Sequence, residues 1–183
     1  MNIAEYKQVG DIFGMCVYSP NKLFSIITSP GKQNLNSSWQ TGFVSLFKAD
    51  TLVCNFPINR PQDFIVNDEG TIFGFNIAFN GIDYTRFDDV YFLAVNNSLD
   101  IYCKKNVTSL PGNCALSSNS QFAAFETFNS KYIDSDSLFI IDIKAGVVLK
   151  QIQNTSHCRS LSFEGNQLVK IDINNDKLLY MLT

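Results

Sequence analysis

Residues 138–149 decide the fold class, because they place two short apolar segments on either side of a polar turn. The stretch reads Leu138-Phe139-Ile140-Ile141-Asp142-Ile143-Lys144-Ala145-Gly146-Val147-Val148-Leu149. Apolar runs of four to eight residues bounded by turn signals are typical of buried strands. Gly146 ends the turn, where a residue free to adopt positive φ is favoured. The stretch therefore predicts a β-hairpin.

A second hairpin pattern recurs along the chain. It begins at Met15, Phe64, Cys114 and Ser160, and each copy is a short strand, a polar turn and a strand that opens on a bulky apolar residue. The apolar anchors lie 49, 50 and 45 residues apart, at Val17, Val66, Leu116 and Leu161. Each of the first three copies is followed by a loop and another hairpin, at 43–56, 91–103 and 138–152. Four strands every 45–50 residues predict a repeat whose units stack on one another.

The composition agrees with an all-β chain. Sixteen Phe and seven Tyr occur among 183 residues, whereas strong helix formers such as Glu are scarce. No segment has the sustained three-to-four-residue apolar spacing of an amphipathic helix. About sixteen strands and little or no helix are therefore predicted.

These hairpins resemble the WD40-like and quinoprotein-like β-propeller repeats. Residues 138–149 are similar to the blade hairpin in which Asp142 precedes an apolar residue and Gly146 precedes Leu149. Val66-Asn67-Asp68-Glu69-Gly70-Thr71-Ile72-Phe73 is similar to the first hairpin of such blades. Small bacterial propeller-like proteins of unknown function share the general pattern. The resemblance implies a propeller fold and a protein-binding class of function.

The predicted organisation is a single domain, 1–183, of four propeller-like blades. The blades cover approximately 12–57, 63–104, 113–152 and 159–183. Because the last is short of a full second hairpin, residues 1–11 are one candidate to complete it and close the ring. The alternative is an open arc with an exposed sheet edge, which a second copy or another protein could cover.

Charge and composition exclude several functions. The net charge is −3 and only 17% of residues are charged, so no basic footprint for nucleic acid or a membrane surface is expected. One histidine and the lack of a phosphate-binding glycine motif argue against metal sites, cofactors and nucleotide binding. No apolar segment is long enough for a membrane helix and the N-terminus does not read as a secretory signal, so a cytoplasmic location is expected.

The five cysteines, Cys16, Cys54, Cys103, Cys114 and Cys158, contain no C-x-x-C pair. They are predicted to be reduced thiols, mostly half-buried in strands. His157-Cys158 is the only His–Cys neighbour pair, and adjacent strand residues point to opposite faces, so a nucleophile–base pair is not expected there.

The longest connections, 28–41, 78–90 and 128–137 with 57–63, 105–113 and 154–159, are expected on one face of the propeller. Long loops on a rigid scaffold tend to carry function. Aromatic and arginine side chains dominate binding hot spots. The predicted partner-binding residues are accordingly Trp39, Arg60, Tyr84, Arg86, Phe87, Tyr132 and Arg159. Packing between blades is the alternative role for Tyr84 and Phe87.

The leading hypothesis is a non-enzymatic protein-binding module, with an inhibitor or immunity-type protein that masks a basic enzyme as its more specific form. One alternative is a small hydrolase that uses loop carboxylates such as Asp88 or Asp134, which a raised carboxyl pKa would favour. The other is a structural subunit that self-assembles by pairing open sheet edges.

Overall fold

All regular structure in the computed structural model is β-strand. The structure describes residues 4–30, 41–80, 83–128, 133–153 and 155–182, without the side chains of 78–89. The strands are β1 (Glu5–Val9), β2 (Ile12–Tyr18), β3 (Phe24–Ser29), β4 (Gly42–Lys48), β5 (Thr51–Ile58), β6 (Pro61–Val66), β7 (Ile72–Asn80), β8 (Asp83–Val95), β9 (Ile101–Asn106), β10 (Pro111–Leu116), β11 (Phe122–Thr127), β12 (Leu138–Asp142), β13 (Val147–Ile152), β14 (Cys158–Glu164), β15 (Gln167–Asp172) and β16 (Lys177–Met181). The prediction of about sixteen strands is confirmed.

The strands form four antiparallel sheets in chain order. Sheet 1 contains β1–β5, sheet 2 contains β6–β9, sheet 3 contains β10–β13 and sheet 4 contains β14–β16. Within each sheet, sequential strands pair with each other, because short turns such as Lys144–Gly146 join them. The predicted propeller-like blades are confirmed.

The β2–β3, β6–β7 and β10–β11 turns are built in the same way. The side chains of Ser19, Asn67 and Ser117 accept hydrogen bonds from the backbone N–H of Phe24, Thr71 and Phe122, respectively. Short polar side chains stabilise turns by accepting such local bonds. The repeated strand–turn–strand pattern in the sequence therefore corresponds to one repeated turn geometry.

Apolar cores lie between consecutive sheets. Phe73, Phe75 and Phe92 of sheet 2 meet Phe125 and Phe139 of sheet 3 in one buried cluster. The Phe125 and Phe139 rings stack with centroids 4.8 Å apart. Separate clusters join sheet 1 to sheet 2 and sheet 3 to sheet 4. Because the inner sheets are covered on both faces, β7, β8, β11 and β12 read as nearly continuous apolar runs.

The four sheets follow one another in contact from sheet 1 to sheet 4, and this series is here called the arc. No apolar cluster joins sheet 4 to sheet 1 within the described ranges. The alternative in which residues 1–11 complete the last blade is corrected here, because β1 pairs with β2 from Glu5↔Cys16 to Val9↔Ile12. A two-residue connection at Gly10 and Asp11 holds β1 beside β2, since such a short link favours a hairpin.

The outer face of sheet 1, which points away from sheet 2, is covered. Cys16, Ile27 and Phe47 on this face are at most 2% exposed, and Val9 of β1 packs against them. Lys7 of β1 reaches across to Asp50 in the β4–β5 turn, with a 2.7 Å Nζ–Oδ1 distance. β1 therefore helps to cap this end of the arc.

A belt of polar contacts ties the first three sheets together at the end that carries the β2–β3, β6–β7 and β10–β11 turns, here called the turn end. The backbone N–H of Asn21 donates to Asp68 Oδ1 at 2.9 Å, which joins sheet 1 to sheet 2. Asn67 Nδ2 donates to Ser117 O and to Ser120 Oγ at 2.9 and 2.8 Å, which joins sheet 2 to sheet 3.

A buried ion pair joins sheet 3 to sheet 4. Lys170 Nζ lies 2.6 Å from Glu126 Oε1, and the two side chains are 0% and 1% exposed. Glu126 Oε2 also accepts the backbone N–H of Cys158 at 3.0 Å, and Lys170 Nζ donates to Ser156 O. Burial acts to raise the pKa of Glu126, but the hydrogen bonds and the positive charge of Lys170 outweigh it and hold the pKa below its usual value.

The cysteines are free and lie in strands. Cys16, Cys103 and Cys158 are buried, and Cys54 and Cys114 are half-buried. Their positions in strands agree with the prediction, but most of them are buried and not half-buried. Within the described residues, no helix has the length and apolar character needed to cross a membrane.

Replacing Glu126 with Gln should lower the free energy of unfolding at pH 7 by about 3–5 kcal/mol, because Lys170 is then buried without its counter-charge. Glu126→Gln combined with Lys170→Met should recover most of that loss. The pKa of Glu126 is lower in the folded protein than in the unfolded chain, where it is about 4.3. The ionised carboxylate therefore adds its full contribution to the free energy of unfolding above that pH, and this contribution is lost as the pH falls through the folded pKa. Urea unfolding at pH 7 and at pH 3 measures both effects.

Glu164→Gln is the matched control. It removes the same charge from a pair with Lys177 in which the side chains are 60% and 52% exposed. Exposed pairs contribute about 0–1 kcal/mol. Equal losses for Glu126→Gln and Glu164→Gln would contradict the stabilising role assigned to the buried pair.

Candidate partner-binding site

A second set of connections emerges from the end of the arc opposite the turn end, here called the loop end. They are the β3–β4, β7–β8, β11–β12 and β15–β16 connections and the links between consecutive sheets. Antiparallel order brings these connections to the same end of the stacked sheets. The links are fixed to it by backbone bonds, as when Ile77 N donates to Arg60 O at 3.0 Å and Phe128 N to Leu110 O at 2.8 Å.

A two-stranded arm, residues 78–89, projects from sheet 2 at the loop end. β6 pairs with β7 only as far as Pro61↔Asn76, and β9 pairs with β8 only as far as Tyr91↔Asn106. Beyond these pairs β7 and β8 continue to pair with each other up to Asn80↔Asp83. At about 3.3 Å per residue, residues 77–80 carry the arm roughly 13 Å beyond the four-stranded part of the sheet.

The arm corrects the expectation of a loop over 78–90. Two bulges interrupt its register, at Ala78/Phe79 and Phe79/Asn80. The missed signal was Asn80-Gly81, because Asn-Gly between β-forming residues is a strong hairpin signal.

The predicted site residues that the structure describes lie at the loop end, but on different sheets. Tyr84, Arg86 and Phe87 belong to the arm segment of β8. Half-buried Arg60 lies at the base of the arm, in the β5–β6 link. Trp39 and Tyr132 lie outside the described residues.

Arg159 lies apart from the arm. It is exposed in β14 of sheet 4, and its Nη1 donates to Asn175 Oδ1 at 2.8 Å. The structure therefore brings Arg60 together with the arm, and it places Arg159 two sheets away from sheet 2.

Asp134 fastens the loop end of sheet 3 to the β9–β10 link. Its carboxylate accepts the backbone N–H of Thr108 at 2.6 Å and the hydroxyls of Thr108 and Ser109 at 2.5 Å each. Burial acts to raise the pKa of Asp134, but the hydrogen bonds from Ser109 and Thr108 outweigh it and keep the pKa below its ordinary value. A lowered pKa is the opposite of what a general acid requires, so the geometry assigns Asp134 a positioning role in the loop end.

Two exposed apolar side chains that were not predicted as site residues lie near the bonds from Thr108 and Ser109 to Asp134, here called the clasp. Ile133 is 85% exposed, and its carbonyl accepts Gln153 Nε2 at 3.2 Å, so its backbone is fixed while its side chain stays in solvent. Phe128 is 39% exposed and lies against His157, with ring centroids 5.3 Å apart. A Cβ on Gly112 would come within 2.3 Å of the Phe128 ring, so glycine is needed beneath it. Within the sequence, an isoleucine flanked by Tyr132 and Asp134 in a polar loop was the available signal.

A half-open pocket of about 250 Å³ lies between sheets 2 and 3 next to Ile133. Phe92, Val107, Phe139 and Val148 contribute apolar lining, and polar groups come from residues such as Lys105 and Gln151. Pockets for drug-sized ligands usually enclose about 300–1,000 Å³. The size and openness of this pocket suit one inserted side chain of a protein partner.

The described residues show little catalytic equipment. No group of three or more His, Cys, Asp and Glu side chains is arranged to hold a metal ion in that part of the chain. Burial raises the pKa of the Cys158 thiol, with Glu126 adding to the effect, so the reactive thiolate is disfavoured. His157 points to Asp136, with 3.7 Å between Nε2 and Oδ1.

Asp134→Asn should lower the free energy of unfolding at pH 7 by about 1–3 kcal/mol, because two hydroxyls and an amide lose their charged acceptor. The pKa of Asp134 is lower in the folded protein than in the unfolded chain, where it is about 3.9. The variant and the unaltered protein should therefore differ fully in free energy of unfolding above that pH, and the difference should disappear as the pH falls through the folded pKa. Urea unfolding across this range is the measurement. Asp136→Asn, in the same loop but only loosely paired, should change stability by under about 1 kcal/mol, and a larger loss there than at Asp134 would contradict the clasp.

Comparison with known proteins identifies the fold. No family model and no curated protein matches the chain. Hydrazine synthase of Kuenenia stuttgartiensis superposes with a TM-score of 0.59 at 10% identity, over 90% of this chain and 57% of that one. A nidogen/laminin complex gives 0.55 at 10% identity, over 99% and 68%. The WD40 domain of Neurospora crassa Pan2 gives 0.52 at 10% identity, over 91% and 48%.

This chain spans between about half and two thirds of the length of the structures it resembles. Those structures include both an enzyme and a protein complex, and one fold supports many activities, so the likeness bears on architecture alone. The expectation drawn from the repeated hairpins is confirmed: the chain has a β-propeller-like fold, built from four antiparallel sheets.

Proposed function

We propose that this protein is a non-enzymatic binding module that engages another protein through its loop end. The observation that carries the proposal is the 85% exposed side chain of Ile133, whose carbonyl is bonded to Gln153, beside a pocket of side-chain size. Rigid presentation of an apolar side chain lowers the entropic cost of association. A small molecule would find less enclosure there than binding sites usually provide.

The arm extends this surface. Its segment of β8 carries Tyr84, Arg86 and Phe87, which are residue types enriched in binding hot spots. A two-stranded projection can reach into a concave partner, which flat turns cannot do. The arm and Ile133 belong to neighbouring sheets, so a single partner can contact both.

The more specific proposal is an inhibitor or immunity-type protein that masks a basic enzyme. The chain has a net charge of −3, and Asp83, Asp88 and Asp89 fall within the arm segment. An acidic surface attracts a basic partner and raises the association rate at low salt. This proposal expects the affinity to fall as ionic strength rises.

The test is capture of the partner from a lysate of the native host by the tagged full chain, followed by titration with the purified partner. Arg86→Ala with Phe87→Ala should weaken binding at least about tenfold, because truncated hot-spot residues commonly cost more than 1 kcal/mol each. The melting temperature should stay within about 2 °C, since the arm lies outside the four-stranded sheets.

Lys48→Ala with Leu52→Ala is the matched control, because it removes one charge and one large apolar side chain from the turn end of sheet 1. Lys48 is exposed and Leu52 is 47% exposed. This variant should bind as the unaltered chain does. Equal binding by the Arg86/Phe87 variant would refute the loop-end assignment, and a partner that binds more tightly at high salt would refute the basic-enzyme form.

A further inference from the structure

Sheet 4 differs from the other three sheets at its outer edge. In the repeating four-strand units β2–β5, β6–β9 and β10–β13, the third strands β4, β8 and β12 are followed by β5, β9 and β13, and the side chains described within the four-stranded regions of those third strands are mostly buried. β16 holds the third place in sheet 4 and is its outermost strand in the described part of the chain. Its Leu178, Leu179 and Met181 are 40%, 51% and 60% exposed. β16 therefore has the apolar sequence typical of a third strand, but its side chains are exposed because it lies at the edge of its sheet.

The register shows which backbone groups of β16 face outward. β15 and β16 pair as Leu168↔Tyr180 and Lys170↔Leu178. Leu182 N donates to Asn166 O, and Asp172 N donates to Asp176 O, in the same register. Because bonded pairs alternate in an antiparallel ladder, the even-numbered residues of β16 bond to β15. The N–H and C=O groups of Lys177, Leu179 and Met181 therefore point away from the sheet.

The neighbouring sheet continues beneath this edge. Val147 of β13 is 47% exposed and pairs with Asp142, on the side of sheet 3 where Leu138 and Ile140 face sheet 4. Lys150 of the same strand reaches Met181 O, with Nζ at 3.4 Å. The ammonium group of Lys150 thus lies beside the outward backbone groups of β16, on a strand that also exposes Val147.

We propose that the outer edge of β16 binds an extended segment of another polypeptide as a fourth antiparallel strand. Main-chain bonds to Lys177, Leu179 and Met181 hold the segment, and alternate apolar side chains cover Leu178 and Val147. The ammonium group of Lys150 at this edge favours an acidic residue in the segment, since opposite charges attract.

The occupant is a single extended segment, because sheet 3 is one strand wider than sheet 4 on this side. The β16 edge of a second copy would bring its own sheet 3 into the space that β13 occupies. A lone segment meets no such obstacle. This inference concerns sheet 4 and does not depend on the loop-end function proposed above.

The probe is a synthetic peptide of residues 145–153, which contains β13, the fourth strand of sheet 3, and a second peptide with Lys150→Glu. Titration of the full chain should give dissociation constants below about 1 mM, with the Glu peptide about 2–5 times tighter. Amide hydrogen exchange should slow at Lys177, Leu179 and Met181, whereas Leu178 and Tyr180 should change little.

Leu179→Pro tests the edge directly, because it removes an outward N–H and leaves the bonds to β15 in place; proline is tolerated on edge strands in that orientation. The Leu179→Ala control keeps the N–H and should bind within about threefold of the unaltered chain, while Leu179→Pro should bind at least tenfold more weakly. If Leu179→Pro fails to fold, Lys177→Pro at the first position of β16 replaces it, with Lys177→Ala as its control.

Three results would overturn the proposal. They are no binding of either peptide at 1 mM, equal binding by the Pro and Ala variants, and a concentration-dependent dimer whose exchange protection at Leu179 appears without peptide. The last would assign the edge to a second copy. The Arg86→Ala with Phe87→Ala variant should bind the peptides normally, which keeps failure of this inference distinct from failure of the loop-end function.

Discussion

Coverage of apolar sheet faces is the constraint on which this structure depends. Sheets 2 and 3 are apolar on both faces, so each is stable only between two neighbours, and Phe125 contacts rings from both sheets of its cluster. Sheets 1 and 4, the first and last of the series, differ in how their outer parts are covered. Sheet 1 is capped with the help of β1 and the Lys7–Asp50 pair, whereas sheet 4 leaves the leucines of β16 in solvent.

The architecture was readable from the sequence wherever the pattern was local. Apolar runs and polar turns gave the strands, and residues such as Ser117 marked turns because their side chains bond to the nearby backbone. The pairing of β1 was not readable, since a five-residue strand of mixed polarity carries little register information. Glu126 and Lys170 are 44 residues apart, so only the stacking of sheets 3 and 4 reveals them as a pair.

The candidate site was only partly predictable for a related reason. Residue type pointed to the aromatic and arginine side chains of residues 84–87, and the structure places these residues on an arm instead of a loop. Ile133 was overlooked, because exposure of an apolar side chain is a property of the folded loop and not of its composition. The Asp134 side chain turns inward to accept bonds from Thr108 and Ser109, and the side chain of the preceding residue, Ile133, points outward.

The polar belt at the turn end joins sheets 1, 2 and 3, while sheet 4 is held chiefly by one apolar cluster and one ion pair. Such uneven attachment divides a protein into cooperative units of different local stability. Sheet 4 is then the unit that separates first, and Cys158 lies at the seam. Its thiol is inert while the seam is closed and becomes available to oxidants each time the seam opens. Oxidation of that sulfur would turn a transient separation into a lasting one.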